Sequence, residues 1–195
     1  MTDIRDLDRR AVETSVTIVS RLTAADLDRP TPCAAWTVAD LLAHMTVQHH
    51  GFAAAARGHG GDPALWTPRP LAADPVKAYA EAAEDVVAAF HEPGAADRGF
   101  TLAEFEGRTF PGAMAMSFHF IDYVVHGWDA ARALGLPYTL DDDLAEPALA
   151  IALAVPDDGQ RRTPGSPFRP ALAASTRDPL ERILTHLGRS PSWPG

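Results

Sequence analysis

Cysteine occurs once, at Cys33, so the chain can close no internal disulfide and can build no zinc site from several thiolates. Lysine also occurs once, at Lys77, and no basic run exceeds a pair such as Arg9-Arg10 or Arg161-Arg162. With 17 Lys and Arg against 26 Asp and Glu, the formal net charge is −9, and nucleic acid is not an expected partner. No stretch of ~18 apolar residues exists, so no membrane span is expected. The opening Met1-Thr2-Asp3-Ile4-Arg5-Asp6 has no apolar segment of the secretory kind, which makes the cytoplasm the expected location. β-Branched residues sit only in short clusters, which argues against a large sheet. A phosphate-cradling loop, a Rossmann glycine pattern and a nucleophile elbow are all missing, so the chemistries they serve have no support.

What is present favours helix. Hydrophobic residues make up 46% of the 195, with alanine dominant, and charged residues 22%. That length suffices for one domain with its own core; residues 3–155 are read as the core and 156–195 as a C-terminal extension. Thr2 can cap a first helix from Asp3 to Ala24, where Ile4, Leu7, Ala11, Ser15, Ile18 and Leu22 step by three and four. Pro30 and Pro32 make the next stretch a loop. Thr37-Val38-Ala39-Asp40 resembles a capping box that opens a second helix, stopping at Gly58. Asp74-Pro75 starts a third helix, ending before Pro93-Gly94. Residues 99–110 alternate and contain Glu106-Gly107, the mark of a short extended excursion or hairpin. A fourth helix runs from Pro111 to Leu134 with Gly135 as its cap, and a fifth from Asp141 to Ala154. Residues 156–170 read as polar and mobile, and Asp178-Pro179 opens a last short helix. Four long helices predict an all-α four-helix bundle.

The chemistry concentrates in two helices. Asp122 and His126 stand four apart in the apolar run Phe120–Asp129, and on a helix such a pair shares one face. A carboxylate on an apolar face needs a partner: an arginine, a neutral histidine or a metal. His44, among Leu41, Leu42 and Met45, supplies a third candidate ligand. Two histidines and one carboxylate would leave coordination positions open, as in catalytic zinc and in the facial triad of non-haem iron. Around them, His119 shares the Asp122 face and is a fourth ligand, a supporting group or a solvent-facing histidine. Gln48 lies one turn beyond His44 and suits a supporting polar role. Asp129 can accept the His126 ring N–H, or pair with Arg132. Cys33 reads as a small buried apolar residue rather than a nucleophile.

Two stretches carry a family likeness. Thr31-Pro32-Cys33-Ala34-Ala35-Trp36-Thr37-Val38-Ala39-Asp40-Leu41-Leu42-Ala43-His44 resembles the signature TPC-x-x-WTV-x-DLL-x-H. Val125-His126-Gly127-Trp128-Asp129-Ala130-Ala131-Arg132-Ala133-Leu134-Gly135 is similar to a second signature, VHGWDLA-x-A-x-G. Both are typical of the metal-binding domain of mycothiol-dependent maleylpyruvate isomerases and their actinobacterial relatives, of the DinB/YfiT-like superfamily. Leu187-Gly188-Arg189-Ser190-Pro191-Ser192-Trp193 looks like the close of one subgroup.

The resemblance implies an up-down-up-down bundle with a metal at one end, held by His44, Asp122 and His126. It also implies a small thiol such as mycothiol as co-substrate. Where the isomerase pattern has Glu four residues before the last histidine, this chain has the shorter Asp122. The chain also stops short of the isomerases' further C-terminal domain, so the maleylpyruvate reaction itself is not expected. The expectation is a zinc or nickel enzyme of S-transfer or isomerisation, acting on a small electrophile with a thiol. A metal-dependent hydrolase and a non-catalytic bundle with weak or no metal binding are the alternatives. A homodimer is compatible with each.

Overall fold

The protein's computed structural model describes residues 3–33, 36–163 and 166–194. Six helices and one small hairpin follow in order: α1 Ile4–Val19, α2 Val38–Ala56, α3 Pro75–His91, β1 Gly99–Leu102, β2 Arg108–Pro111, α4 Gly112–Leu134, α5 Asp142–Ala154 and α6 Pro179–His186. The fold is all-α apart from the antiparallel pair β1–β2, in register from Gly99 opposite Pro111 to Leu102 opposite Arg108.

Local chemistry sets most boundaries. Thr37 and Asp40 form the expected capping box: the Thr37 N–H donates to Asp40 Oδ2 (2.9 Å), and the Asp40 N–H to Thr37 Oγ1 (3.2 Å). Asp74 accepts from the Lys77 N–H at 3.0 Å with Pro75 in the first turn of α3. Gly135, at φ 70°, ends α4: its own N–H reaches Arg132 O (3.1 Å) and that of Leu136 reaches Ala131 O (2.8 Å). Glu106 and Gly107 turn the hairpin in left-handed conformations, as the Glu-Gly pair led one to expect.

Three expectations need correction. α1 stops at Val19 rather than Ala24, because Thr23 and Asp26 bond each other (2.7 Å between side chains) and start a separate turn. Asp3 caps that helix through the Arg5 N–H (3.0 Å); Thr2, the expected cap, lies outside the described residues. In the stretch 156–170, expected to be mobile, the buried Arg161 ties the described parts together: its guanidinium donates to Pro156 O (2.7 Å), Val155 O (2.9 Å) and Arg169 O (3.2 Å), while residues 164 and 165 lie outside the described residues.

The four long helices close a ring in which α1 packs on α4 and α3, and α2 packs on α3 and α4. One core joins Leu7, Val12, Leu41, Met45, Phe120 and Val124 to Leu149 of α5 and Ile183 of α6. A second, beneath the hairpin, gathers Phe52, Trp66, Phe90, Phe100, Leu102 and Met116. Burying aromatic side chains of this size is the main favourable contribution to such packing.

A polar chain crosses this interior. Asp8 of α1 bonds His119 Nδ1 of α4 at 2.6 Å, and His119 Nε2 lies 3.2 Å from His49 Nδ1 of α2. His49 Nε2 and Asp8 Oδ2 have no partner among the described residues. Burial, with the neighbouring His119 and His50, pushes the His49 pKa well below 6.5. Folded protein therefore keeps His49 neutral, while the unfolded chain takes up a proton below pH ~6.5, so stability falls as pH drops past that value. One such group contributes a slope of at most ~1.4 kcal/mol per pH unit. Urea unfolding at pH 7.5 and 5.5 should show wild type losing about 1 kcal/mol more than His49→Gln over that interval; equal losses would contradict the assignment.

Candidate metal centre

The two helices that carry the candidate ligands pack against each other. His44 projects from the second turn of α2, and Asp122 and His126 from successive turns of α4. Asp122 Oδ1 lies 3.4 Å from His126 Nε2, and Asp122 Oδ2 lies 3.8 Å from His44 Nε2. The two imidazole rings meet edge to face, 5.0 Å between centres. One donor atom from each of the three falls within 4.8 Å of the others. A tetrahedral ion with bonds of ~2.0–2.2 Å places its donors ~3.3–3.6 Å apart, so a small contraction suits the set.

Asp122 and His44 keep about a fifth of their side-chain surface exposed, 22% and 23%, while His126 keeps 6%. The site is therefore open to solvent on one side and enclosed on the other. Burial works against ionised Asp122, but the charge of His126 and the approach of His44 outweigh it, holding the carboxyl at about 2. Burial likewise works against cationic His126, and the carboxylates Asp122 and Asp129 outweigh it, so its pKa is raised. A carboxylate between two imidazoles is a donor set that a divalent cation can take over from the imidazole protons, so binding there would release protons and weaken as pH falls.

Asp129 lies within hydrogen-bond reach of His126. Its Oδ2 accepts from His126 Nδ1 at 2.9 Å, which commits that nitrogen and leaves Nε2 for the site. Its other partner is not Arg132, which turns to Trp193 O (2.5 Å), but Arg189, which reaches it with three contacts of 3.2–3.3 Å. Gln48 does not support His44; its amide donates to Glu104 Oε2 of the hairpin segment at 2.9 Å. His119 is not solvent-facing: it is fully buried, and its ring nitrogens meet Asp8 Oδ1 (2.6 Å) and His49 Nδ1 (3.2 Å). Residues 119 and 122 share a helix face by spacing, but Asp8 of α1 draws His119 into the interior, a pairing no local pattern announces.

Trp36 is a site residue that spacing does not reveal. Its ring stands 4.8 Å from that of His44 and 6.1 Å, stacked, from that of His126, walling the two imidazoles. Buried Thr31 holds it there by clipping the loop: its hydroxyl bonds Trp36 O (3.0 Å) and Cys33 O (3.1 Å). Ala34 and Ala35 of the same signature lie outside the described residues. Cys33 is half-buried, and burial pushes its thiol up to about 11. Thiolate is the reactive form, so Cys33 should alkylate at pH 8 about 100-fold more slowly than a free cysteine. Iodoacetamide kinetics followed by mass spectrometry check this; a rate like that of free cysteine would contradict it.

No helix among the described residues is long and apolar enough to cross a membrane. Residues 9–131 match the family described as the mycothiol maleylpyruvate isomerase N-terminal domain. Two uncharacterized proteins of Mycobacterium tuberculosis, from strains CDC 1551 / Oshkosh and H37Rv, are each 30% identical over 188 residues, 93% of this chain and 95% of theirs. The crystal structure of the mycothiol-dependent maleylpyruvate isomerase superposes with a TM-score of 0.58 at 18% identity, covering 79% of this chain and 71% of that one. A histidine-to-alanine mutant of that isomerase gives 0.55 at 17% over the same shares. The likeness to these crystal structures carries the fold, a DinB-like helical bundle with a small two-stranded sheet. On the family match and the near full-length mycobacterial relatives, this chain belongs to the mycothiol maleylpyruvate isomerase N-terminal domain family.

Proposed function

We propose that the protein is a metal-dependent enzyme using a small thiol of the mycothiol type, in S-transfer to or isomerisation of a small electrophile. The observation that carries this reading is the convergence of His44, Asp122 and His126 from α2 and α4, with donor atoms within 4.8 Å. Family membership, and the mycothiol dependence named for the isomerase whose fold it shares, support the thiol part. Zinc or nickel suits two imidazoles and one carboxylate. A divalent ion bound there would stabilise a coordinated thiolate and lower its pKa.

The chain's own residues supply the rest. His44 and His126 each turn an imidazole Nε2 toward Asp122, and Asp129 fixes which nitrogen of His126 faces the site. Asp122 contributes the negative charge that balances a cation, and its two oxygens each face one histidine. Trp36 shields one side of the pair from water. Cys33, a thiol rather than a thiolate at neutral pH, leaves the sulfur chemistry to a co-substrate. The chain is taken to act as one domain, because Ile183 and Leu187 join the core built by α1, α2, α4 and α5. Small molecules, rather than nucleic acid or membrane, are its proposed partners, and the cytoplasm its place of action.

Elemental analysis and a thiol-dependence assay test this together. Protein purified without added metal should carry ~0.5–1 zinc or nickel per chain, His126→Ala almost none, and Asp122→Asn should bind ~10-fold or more weakly at unchanged helical content. Consumption of an electrophile should require added thiol, survive Cys33→Ser and vanish in His44→Ala. Turnover without thiol would point to hydrolysis instead. Activity lost in Cys33→Ser but kept in His44→Ala would make the protein thiol the nucleophile and overturn the reading.

A further inference from the structure

We propose that Arg189, in the C-terminal extension, is a positioning residue of the metal centre: acting through Asp129, it holds His126 in the one tautomer and orientation that can ligate. This rests on the metal-centre reading above. Arg189 lies well beyond residues 9–131, the part of the chain that matches the family.

The placement begins with how α6 ends. The Gly188 N–H bonds Thr185 O (3.1 Å) and the Arg189 N–H bonds Leu184 O (2.8 Å), the paired bonds of a Schellman close. Gly188 takes φ 79°, and a Cβ there would stand 2.5 Å from Arg169 Cβ and 2.7 Å from Arg169 O. A glycine is thus required on two counts, conformation and space. The turn sends the Arg189 side chain inward, where the residue is 4% exposed. Its Nε lies 3.2 and 3.3 Å from the two oxygens of Asp129, and its Nη2 lies 3.2 Å from Oδ2. Nη1 is spent on Leu187 O at 3.4 Å.

Asp129 is itself fully buried and reaches His126 Nδ1 at 2.9 Å. The result is a continuous chain from guanidinium to carboxylate to imidazole, with His126 Nε2 at its free end facing Asp122. Besides His126, only Arg189 pairs with Asp129 among the described residues, since Arg132 has turned to Trp193 O and lies over the Trp128 ring. A planar guanidinium that meets both carboxylate oxygens fixes the plane of the carboxylate. Without it, Asp129 would be held by the single bond to His126 and could turn about its Cβ–Cγ bond. The preference for N–H at Nδ1 would weaken, and a histidine carrying its proton on Nε2 cannot ligate through that atom. Partners one step removed from a metal commonly carry 10–100-fold of its affinity.

The test uses the full-length protein stripped of metal and titrated with Co(II) against a chelator. Wild type is compared with Arg189→Met, Arg189→Lys and His126→Ala, with circular dichroism as a control for folding. We expect Arg189→Met to bind Co(II) ~10–100-fold more weakly with an altered visible spectrum, and Arg189→Lys to recover part of the loss. In the metal-free protein, at a pH high enough for the His126 ring to be neutral, long-range 1H–15N spectra should show His126 protonated at Nδ1 in wild type and mixed in Arg189→Met. Wild-type affinity and an unchanged tautomer in Arg189→Met would overturn the inference while leaving the metal centre standing. If Arg189→Met fails to fold, Arg189→Lys decides, because an ammonium cannot reproduce the fork: a several-fold loss supports the proposal and unchanged affinity overturns it. A wild type that binds Co(II) no better than His126→Ala would overturn both the inference and the reading beneath it.

Discussion

Asp122 sits on α4 in a cleft against α2, on a helix most of whose buried residues are apolar, and it stays ionised there. Holding a carboxylate away from water costs several kcal/mol unless opposite charge or hydrogen-bond donors compensate it. The compensation comes from two helices at once: His126 one turn along α4, and His44 across the interface on α2. The interface between α2 and α4 is therefore constrained by more than shape. Any shift that separates the two helices takes His44 from Asp122 and leaves it His126 alone, and the flanking apolar residues Leu41, Met45, Val124 and Val125 must pack around that requirement. A divalent ion would satisfy all three side chains together, which is why this group, among the polar residues of the interior, is read as the functional one.

The other buried polar chain shows the contrast. Asp8, His119 and His49 also join three helices, yet they are sealed from solvent and lie inside the bundle rather than at an open cleft. Their bonds tie α1 to α4 and α4 to α2, and the stacking of His49 on Tyr123 (4.1 Å) fixes the ring further. A sealed interior network of this kind, whose two end atoms His49 Nε2 and Asp8 Oδ2 are left without partners among the described residues, ties helices together; an open one with donors aimed at a common point offers a place for a ligand. Arg189 and Asp129 extend the open network to the C-terminus, so the last helix is bound to the centre by charge as well as by the apolar packing of Ile183 and Leu187. Removing one member of such a buried pair costs about 3–5 kcal/mol, because the other is left uncompensated.

Much of this was legible in the chain itself. Caps at Thr37, Asp74 and Asp178, the stop at Gly135 and the Glu106-Gly107 turn are local rules, and α2, α3, α4 and the hairpin fall where those rules put them. The His44, Asp122 and His126 set was legible because two of the three share a helix face. The remainder depends on contacts distant in sequence. His119 was misplaced because Asp8, 111 residues away, claims it. Arg189 was invisible because its partner is 60 residues earlier. Gln48 was lost to Glu104 for the same reason. The early end of α1 is a different failure: a favourable helical period continued past a competing local cap at Thr23.

The central claim is that His44, Asp122 and His126 share one ion. X-ray absorption at the zinc edge of zinc-loaded protein reads that coordination shell directly. The account predicts nitrogen and oxygen scatterers at ~2.0–2.2 Å with the outer-shell pattern of two imidazoles, and no sulfur in protein free of added thiol. A sulfur scatterer at ~2.3 Å under those conditions would place Cys33 on the metal, and a shell without imidazole would remove the two histidines; either would contradict the account.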